Sequence, residues 1–370
     1  MDQRTRACVA SGTIVGIFVL VQLGALALVE PFKGAGYQAV EDPQNPTNSL
    51  VYVAFVLVMT GVMLAIIRFD IDWLLRLLLV GTAAYVGLFV LRVLVPPVVV
   101  VPVAGVGLNA LAWLGGALVG LVLWFYPEWY VVDAAGVLMG AGAAALFGIS
   151  FGVLPALILL VGLAVYDAIS VYGTEHMLTL ASGVMEMKLP IVLVVPLSLS
   201  YSYLDAGVPD AVDDEANAAG APADSTGEGD AARPTEQTDA ADPATNGGQA
   251  SGPSDDADEP DPAEVPLDRE ALFIGLGDAV IPTVLVASAT SFAPASVPTV
   301  DLLGIPATLP AVTAMVGTTA GLVVLLWMVL KGRAHAGLPL LNGGTIAGYL
   351  VGALASGLTL AQATGLAPYL

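Results

Sequence analysis

Read only for hydrophobic and polar positions, the chain alternates long apolar runs with short polar breaks and carries one long polar interval late in the sequence. A helix rises about 1.5 Å per residue, so roughly 20 apolar residues cross a hydrocarbon layer about 30 Å thick. Nine runs meet or approach that length, at 8–29, 50–67, 73–95, 106–126, 131–149, 151–172, 271–293, 309–331 and 336–358. The expected fold class is an all-α polytopic membrane protein with nine transmembrane helices. The first run is too long for the apolar part of a cleaved leader, and no clean small-residue cleavage site follows it, so it is read as a span.

The polar breaks predict orientation. With the N-terminus cytoplasmic, the inner breaks collect Arg4, Arg6, Arg68, Arg76, Lys188, Arg233, Arg269, Lys331 and Arg333, while Lys33 and Arg92 fall outside. That bias of basic residues to one side predicts a cytoplasmic N-terminus and an outer C-terminus, in a multi-pass protein of the cell membrane. The stretch "TEHMLTLASGVMEMKLP" after the sixth run places Met177, Leu180, Ala181 and Val184 at helical spacing and reads as a short amphipathic helix. Next comes "LPIVLVVP", too short to span, which reads as a strand or a membrane-hugging helix.

Composition changes the picture in one place. Of the 370 residues, 57% are hydrophobic and 12% charged, yet the formal net charge is −21. The interval 205–264 holds 17 Asp and Glu against Arg233 alone, so the membrane part is nearly neutral. That interval has almost nothing to bury and is expected to be a disordered, solvated linker. Many Asp and only three Lys suggest a salt-loving host. A single cysteine, Cys8, rules out an internal disulfide, and the two histidines, His176 and His335, argue against a His-rich metal site. No metal, other cofactor or nucleic-acid partner is expected. Gly344, Gly348 and Gly352 recur every four residues in the last run, as do Gly116 and Gly120 in the fourth, and both faces suit close helix packing. Asn109 and Asn342 read as interhelical hydrogen-bonding groups.

Charged groups inside spans carry the most information, since each costs a few kcal/mol at the bilayer centre unless paired or hydrated. Most acids, Asp133 among them, sit at span ends. Asp167 in "VGLAVYDAISVY" and Asp278 in "FIGLGDAVIP" do not. Counted as helix, Asp167 lies about 8 Å and Asp278 about 10 Å from the cytoplasmic end of its span. Two helices joined by one loop thus carry carboxylates at matching depth, with no basic residue at that level. Face to face, the two share a proton. One can then deprotonate water while the other donates a hydrogen bond to a carbonyl oxygen. On the two aspartates alone, a proton- or cation-coupled transporter or leak channel is the favoured alternative. Gly275 and Gly277 leave the backbone beside Asp278 uncovered, and Pro282 removes a helix hydrogen bond one turn on. Gly337 and Pro339 predict an irregular start to the last span at the same level.

Together, Tyr166-Asp167, Gly275-Leu276-Gly277-Asp278 and the proline-containing start of the last span resemble the presenilin and signal-peptide-peptidase family of intramembrane aspartyl proteases, in particular its archaeal homologues. The family's third motif is Pro-Ala-Leu, often followed by Pro; here Ala336-Gly337-Leu338-Pro339 keeps the leucine and second proline. The resemblance implies a presenilin-like fold and an endopeptidase that cuts transmembrane-helix substrates near the cytoplasmic side of the bilayer. It makes Asp167 and Asp278 the catalytic pair and gives Tyr166, Gly275, Leu276, Gly277, Gly337, Leu338 and Pro339 a part in holding substrate as an added strand. The chain then divides into a five-helix scaffold (1–149), helix six with the first aspartate and the amphipathic segment (150–204), the acidic loop (205–264) and helices seven to nine with the second aspartate (265–370).

Overall fold

In the computed structural model, residues 3–69, 71–103, 106–173, 192–197, 201–202, 204, 271–331 and 336–369 are described. The expected amphipathic helix, His176, His335 and the acidic linker lie outside them. Nine helices of 16 residues or more occupy the predicted spans: α1 Gln3–Gly34, α2 Thr47–Arg68, α3 Asp72–Leu94, α4 Ala110–Phe125, α5 Trp129–Ser150, α6 Val153–Gly173, α7 Leu276–Ser291, α8 Leu309–Leu330 and α9 Gly337–Ala355. Seven of them are long and apolar enough to cross a membrane, while α4 and α7 are shorter apolar helices.

The expectation of an all-α fold is corrected by three antiparallel two-stranded sheets. They are β1 (Val100–Val103) with β2 (Val106–Asn109), β3 (Val192–Pro196) with β4 (Ala271–Gly275), and β5 (Thr299–Leu302) with β6 (Ile305–Thr308). β2 and β4 claim residues that length alone would give to a helix, which is why α4 and α7 start four and five residues inside their predicted spans. Their composition is β-branched and punctuated by Pro and Gly, so local propensity favours extension. Asn109 links two helix ends: its side chain caps α4 by accepting from Ala112 N–H at 3.4 Å and donates to the carbonyl of Val95, the C-cap residue of α3, at 2.8 Å.

The core runs along α1, α5 and α7, with α8 and α9 packed beside them. Phe18, Val21, Leu276, Leu322 and Leu341 share one buried cluster with Leu193 and Val195 of β3. The other face of β3 is covered too, because Val194 packs with Val80, Leu123 and Val132. A strand buried on both faces needs an uninterrupted apolar run, which is what "IVLVV" supplies. By contrast, α2 turns Leu50, Val51, Phe55 and Val58 outward, as a helix facing lipid does. At the far end of α7, Lys33 of α1 donates to the Ser291 carbonyl at 2.6 Å, satisfying a group that every helix end leaves over.

The backbones of α8 and α9 approach closely. A Cβ on Gly344 would overlap the Gly317 carbonyl oxygen, and one on Gly348 the Thr313 carbonyl oxygen. The obstacles are backbone, which has nowhere to go. Gly343, one residue away, faces open space. Gly344→Ala is therefore expected to destabilise the protein by about 1–3 kcal/mol, the usual cost of overpacking, while Gly343→Ala leaves it unchanged. Thermal unfolding of the two variants in one detergent measures the difference.

Candidate active site

Asp278 stands in the first turn of α7, directly after β4, with Gly275 as the N-cap residue in extended conformation. The depth expected from sequence treated the whole segment as helix; the strand places the carboxylate instead where extended backbone turns into helix. Pro282, one turn further, lacks the N–H that would otherwise bond to the Asp278 carbonyl. Asp278 is half-buried and Gly277 beside it is exposed.

Asp167 comes from α6 and is 7% exposed. Its Oδ2 accepts from the backbone N–H of Leu338 at 3.1 Å. Leu338 is the second residue of α9, and the first N–H groups of any helix lack partners within it. The N-cap residue, Ala336, provides no side-chain hydrogen bond, so Asp167 caps α9 from a neighbouring helix. Pro339 follows and has no N–H to satisfy, which suits the first turn of a helix. Gly337 precedes, and a Cβ there would lie 3.4 Å from Asp278 Oδ2 and 3.4 Å from Leu325 Cδ2. The two carboxylates thus approach the same dipeptide, Gly337–Leu338.

The surrounding side chains hold that turn in place. Leu338 packs with Leu159 and Leu163 of α6, with Ile281 of α7 and with Tyr52 and Val56 of α2. One turn along α9, Asn342 Nδ2 donates to the Leu160 carbonyl at 2.8 Å, the interhelical bond its sequence context suggested. Leu276 points away from the carboxylates. It is 5% exposed and fills the space left by Gly136 and Gly140 of α5. Tyr166 is half-buried, and among the described residues no hydrogen bond joins it to either aspartate. Among those residues, too, no group of three or more His, Cys, Asp or Glu is placed to hold a metal ion.

β3 lies beside the site and pairs along its length with β4, from Val192 opposite Gly275 to Pro196 opposite Ala271. Of the two forms open to "LPIVLVVP", it takes the strand. Asp133 of α5, read from sequence as a span-end residue, accepts from the Val194 N–H through Oδ1 at 2.8 Å. The signal available was a carboxylate just inside a span with no basic residue nearby; its partner lies 61 positions away and is invisible to local pattern.

Residues 15–358 match the sequence family described as signal-peptide peptidase, presenilin aspartyl protease. Two solved structures of a presenilin family intramembrane aspartate protease, in C222 and P2 space groups, are similar to the chain, each at 30% identity over 93% of it. The matches cover 99% and 97% of those chains, with TM-scores of 0.55 and 0.53. No curated protein matches.

The geometry separates what Asp167 does for the fold from what its charge does. Asp167→Asn retains an acceptor for Leu338 N–H and is expected to leave stability nearly unchanged, whereas Asp167→Ala uncaps α9 and costs about 1–2 kcal/mol. Unfolding midpoints of both variants in detergent test this.

Proposed function

The chain belongs to the signal-peptide-peptidase and presenilin family of aspartyl proteases, and from that premise we propose that Asp167 and Asp278 together hydrolyse peptide bonds inside transmembrane segments. The observation that carries the reading is the approach of both carboxylates to Gly337–Leu338. The alternative of a proton- or cation-coupled transporter is not supported, since the related structures are proteases.

The chemistry needs one carboxylate ionised and one protonated. The ionised group takes a proton from water as the water oxygen bonds to the carbonyl carbon. The protonated group donates a hydrogen bond to the carbonyl oxygen, and a gem-diol forms without a covalent enzyme intermediate. A proton then passes to the amide nitrogen, the C–N bond breaks, and a carboxyl and an amine leave. The bond from Leu338 N–H to Oδ2 holds the Asp167 side chain in one orientation and leaves Oδ1 to work.

A helical substrate has its peptide groups tied up in its own hydrogen bonds, so it must unwind to be cut. The unwound stretch needs replacement partners, and strand addition beside β4 provides them. Gly275 ends β4 three residues before Asp278, so a segment paired there is led to the carboxylates. Gly277, Gly337 and Pro339 keep the approach open, Tyr166 flanks it, and Leu276 and Leu338 act through their backbones while their side chains anchor α7 and α9. The charge bias of the breaks supports nine spans with the N-terminus cytoplasmic and the C-terminus outside, which puts the site near the cytoplasmic face of a cell membrane. The composition fits a salt-loving archaeal host.

The test is cleavage of a single-span reporter helix in proteoliposomes, with products identified by mass. The unaltered protein cuts, and a hydroxyl-bearing transition-state mimic blocks it. Asp167→Asn and Asp278→Asn each lose activity by roughly 100-fold or more. Cleavage surviving in either variant would sink the assignment of the pair.

A further inference from the structure

Between Arg92, near the end of α3, and Asn109, at the head of α4, no polar side chain occurs. That interval contains the β1–β2 hairpin, and Val98, Val99, Val100 and Val101 at its start are 75%, 47%, 52% and 44% exposed. Successive strand residues point to opposite faces, so the exposure of Val100 and Val101 leaves both faces of the ribbon bare. In water such a ribbon is an aggregation site, since neither its faces nor its edges carry a charge. The β5–β6 hairpin is built differently. It gives one face of β5 to Thr299 and Asp301, both exposed, and Asp301 Oδ1 accepts from the Gly304 N–H at 2.6 Å. Both hairpins stand at the end of the bundle where α1 finishes, because Tyr37 packs on Phe89 of α3 and Lys33 bonds to Ser291 of α7. Two hairpins at one level thus have surfaces suited to different solvents.

The helix lengths fix that level. Arg76, in the second turn of α3, donates to the Trp124 carbonyl at 2.6 Å, and its guanidinium stands 5.0 Å from the Trp124 ring centroid. Tryptophan and arginine both favour the boundary between lipid and water. From that pair α4 rises about 21 Å to Ala110 and α3 about 27 Å to Leu94. Both distances approach the roughly 30 Å of the hydrocarbon layer, so the hairpin begins at the opposite boundary. There Asn109 Nδ2 donates to the Val95 carbonyl at 2.8 Å and the Ala110 N–H to the Val99 carbonyl at 2.9 Å, which ties the ribbon across both helix ends. Leu114, Leu118 and Leu121 of α4 are exposed as well, so an apolar surface continues from the helix into the hairpin. Arg92 in the last turn of α3 is exposed, and among the described residues no carboxylate pairs with it. Pro96, Pro97 and Pro102 have no N–H, which lessens the number of main-chain donors that need water.

We propose that the β1–β2 hairpin is a bilayer anchor, lying along the membrane boundary at the end of the bundle away from Asp167 and Asp278. Its valines enter the upper acyl chains, its strand edges stay where water reaches them, and Arg92 meets a lipid phosphate. The partner is a phospholipid surface rather than a second copy of the chain. A copy covers one face of a ribbon and leaves the other bare, whereas lipid surrounds both. Anchored in this way, the hairpin sets the depth of α3 and α4, whose Val80 and Leu123 pack on Val194 of β3 beside the site.

The test attaches one environment-sensitive fluorophore at a time to the full chain, on a Cys8→Ser background, at Val98→Cys, Val101→Cys or Thr299→Cys, in phosphatidylcholine vesicles. All three positions are exposed, so the substitutions leave the packing intact. Emission from positions 98 and 101 is expected to lie to the blue of that from 299. A nitroxide on the upper acyl chain is expected to quench these two more than one at the chain end, and aqueous iodide to quench them little. Position 299 is expected to respond to iodide instead. Arg92→Gln is expected to shift the spectra of 98 and 101 toward that of 299, and unchanged spectra overturn the part given to Arg92. Iodide quenching of 98 and 101 equal to that of 299 overturns the anchor. Shielding from both quenchers, or protection from iodide that disappears as lipid is added at fixed protein, reports contact with a second copy and overturns it too. The readout needs no cleavage, so its failure leaves the protease reading untouched.

Discussion

The hydrogen bond from Leu338 N–H to Asp167 is the contact on which the site depends. In hydrocarbon, a main-chain N–H left over at the start of a helix has no water to turn to, so something in the protein must accept it. α9 offers no acceptor of its own, because its N-cap residue is alanine. A carboxylate on α6 takes the role, and by doing so fixes three helices at one point. α6 provides the acceptor and α9 the donor, while Asp278 of α7 lies beside the same turn, with its Oδ2 3.4 Å from where a Cβ on Gly337 would stand. Pro339 shortens the list of N–H groups that need a partner.

Asp133 answers the same constraint at a strand edge. There the leftover group is Val194 N–H, and again a helix-borne carboxylate accepts it. The two aspartates show how an intramembrane acid can be held by the backbone rather than by a basic side chain. Neither has an ion-pair partner among the described residues, where the single salt bridge joins Glu30 and Lys33. The same kind of bond ties different elements together: at Asp167 it joins α6 to the start of α9, and at Asp133 it joins α5 to β3.

Much of this was legible before any coordinates. Hydropathy located the nine longest helices among the described residues, since a long apolar run is a local property of the chain. The positions of Asp167 and Asp278, and the glycines around the second, stood out because charge and bare backbone are costly in apolar surroundings. What local pattern could not show was pairing between distant segments. The starts of α4 and α7 read as helix because a short apolar strand looks like a helix turn until its partner is known; Val106–Asn109 pairs with Val100–Val103, and Ala271–Gly275 finds its partner in Val192–Pro196 across the long polar interval. Leu276 illustrates another limit. The resemblance gives it a part in holding substrate, and the structure sets its side chain against Gly136 and Gly140 of α5. Which way a residue faces within an all-apolar helix has no signature in composition.

The glycine contact between α8 and α9 bears on how the protein moves. Helices whose backbones touch, with no side chains between them, cannot slide or roll against each other without collision, so the pair behaves as one stiff lever. Gly337 and Leu338 sit at the tip of that lever. Any widening of the gap around the two carboxylates by α9 must carry α8 along, and the swing is resisted over the full length of both helices. A displacement of α9 is then a displacement of two helices at once, slow compared with the motion of a loop.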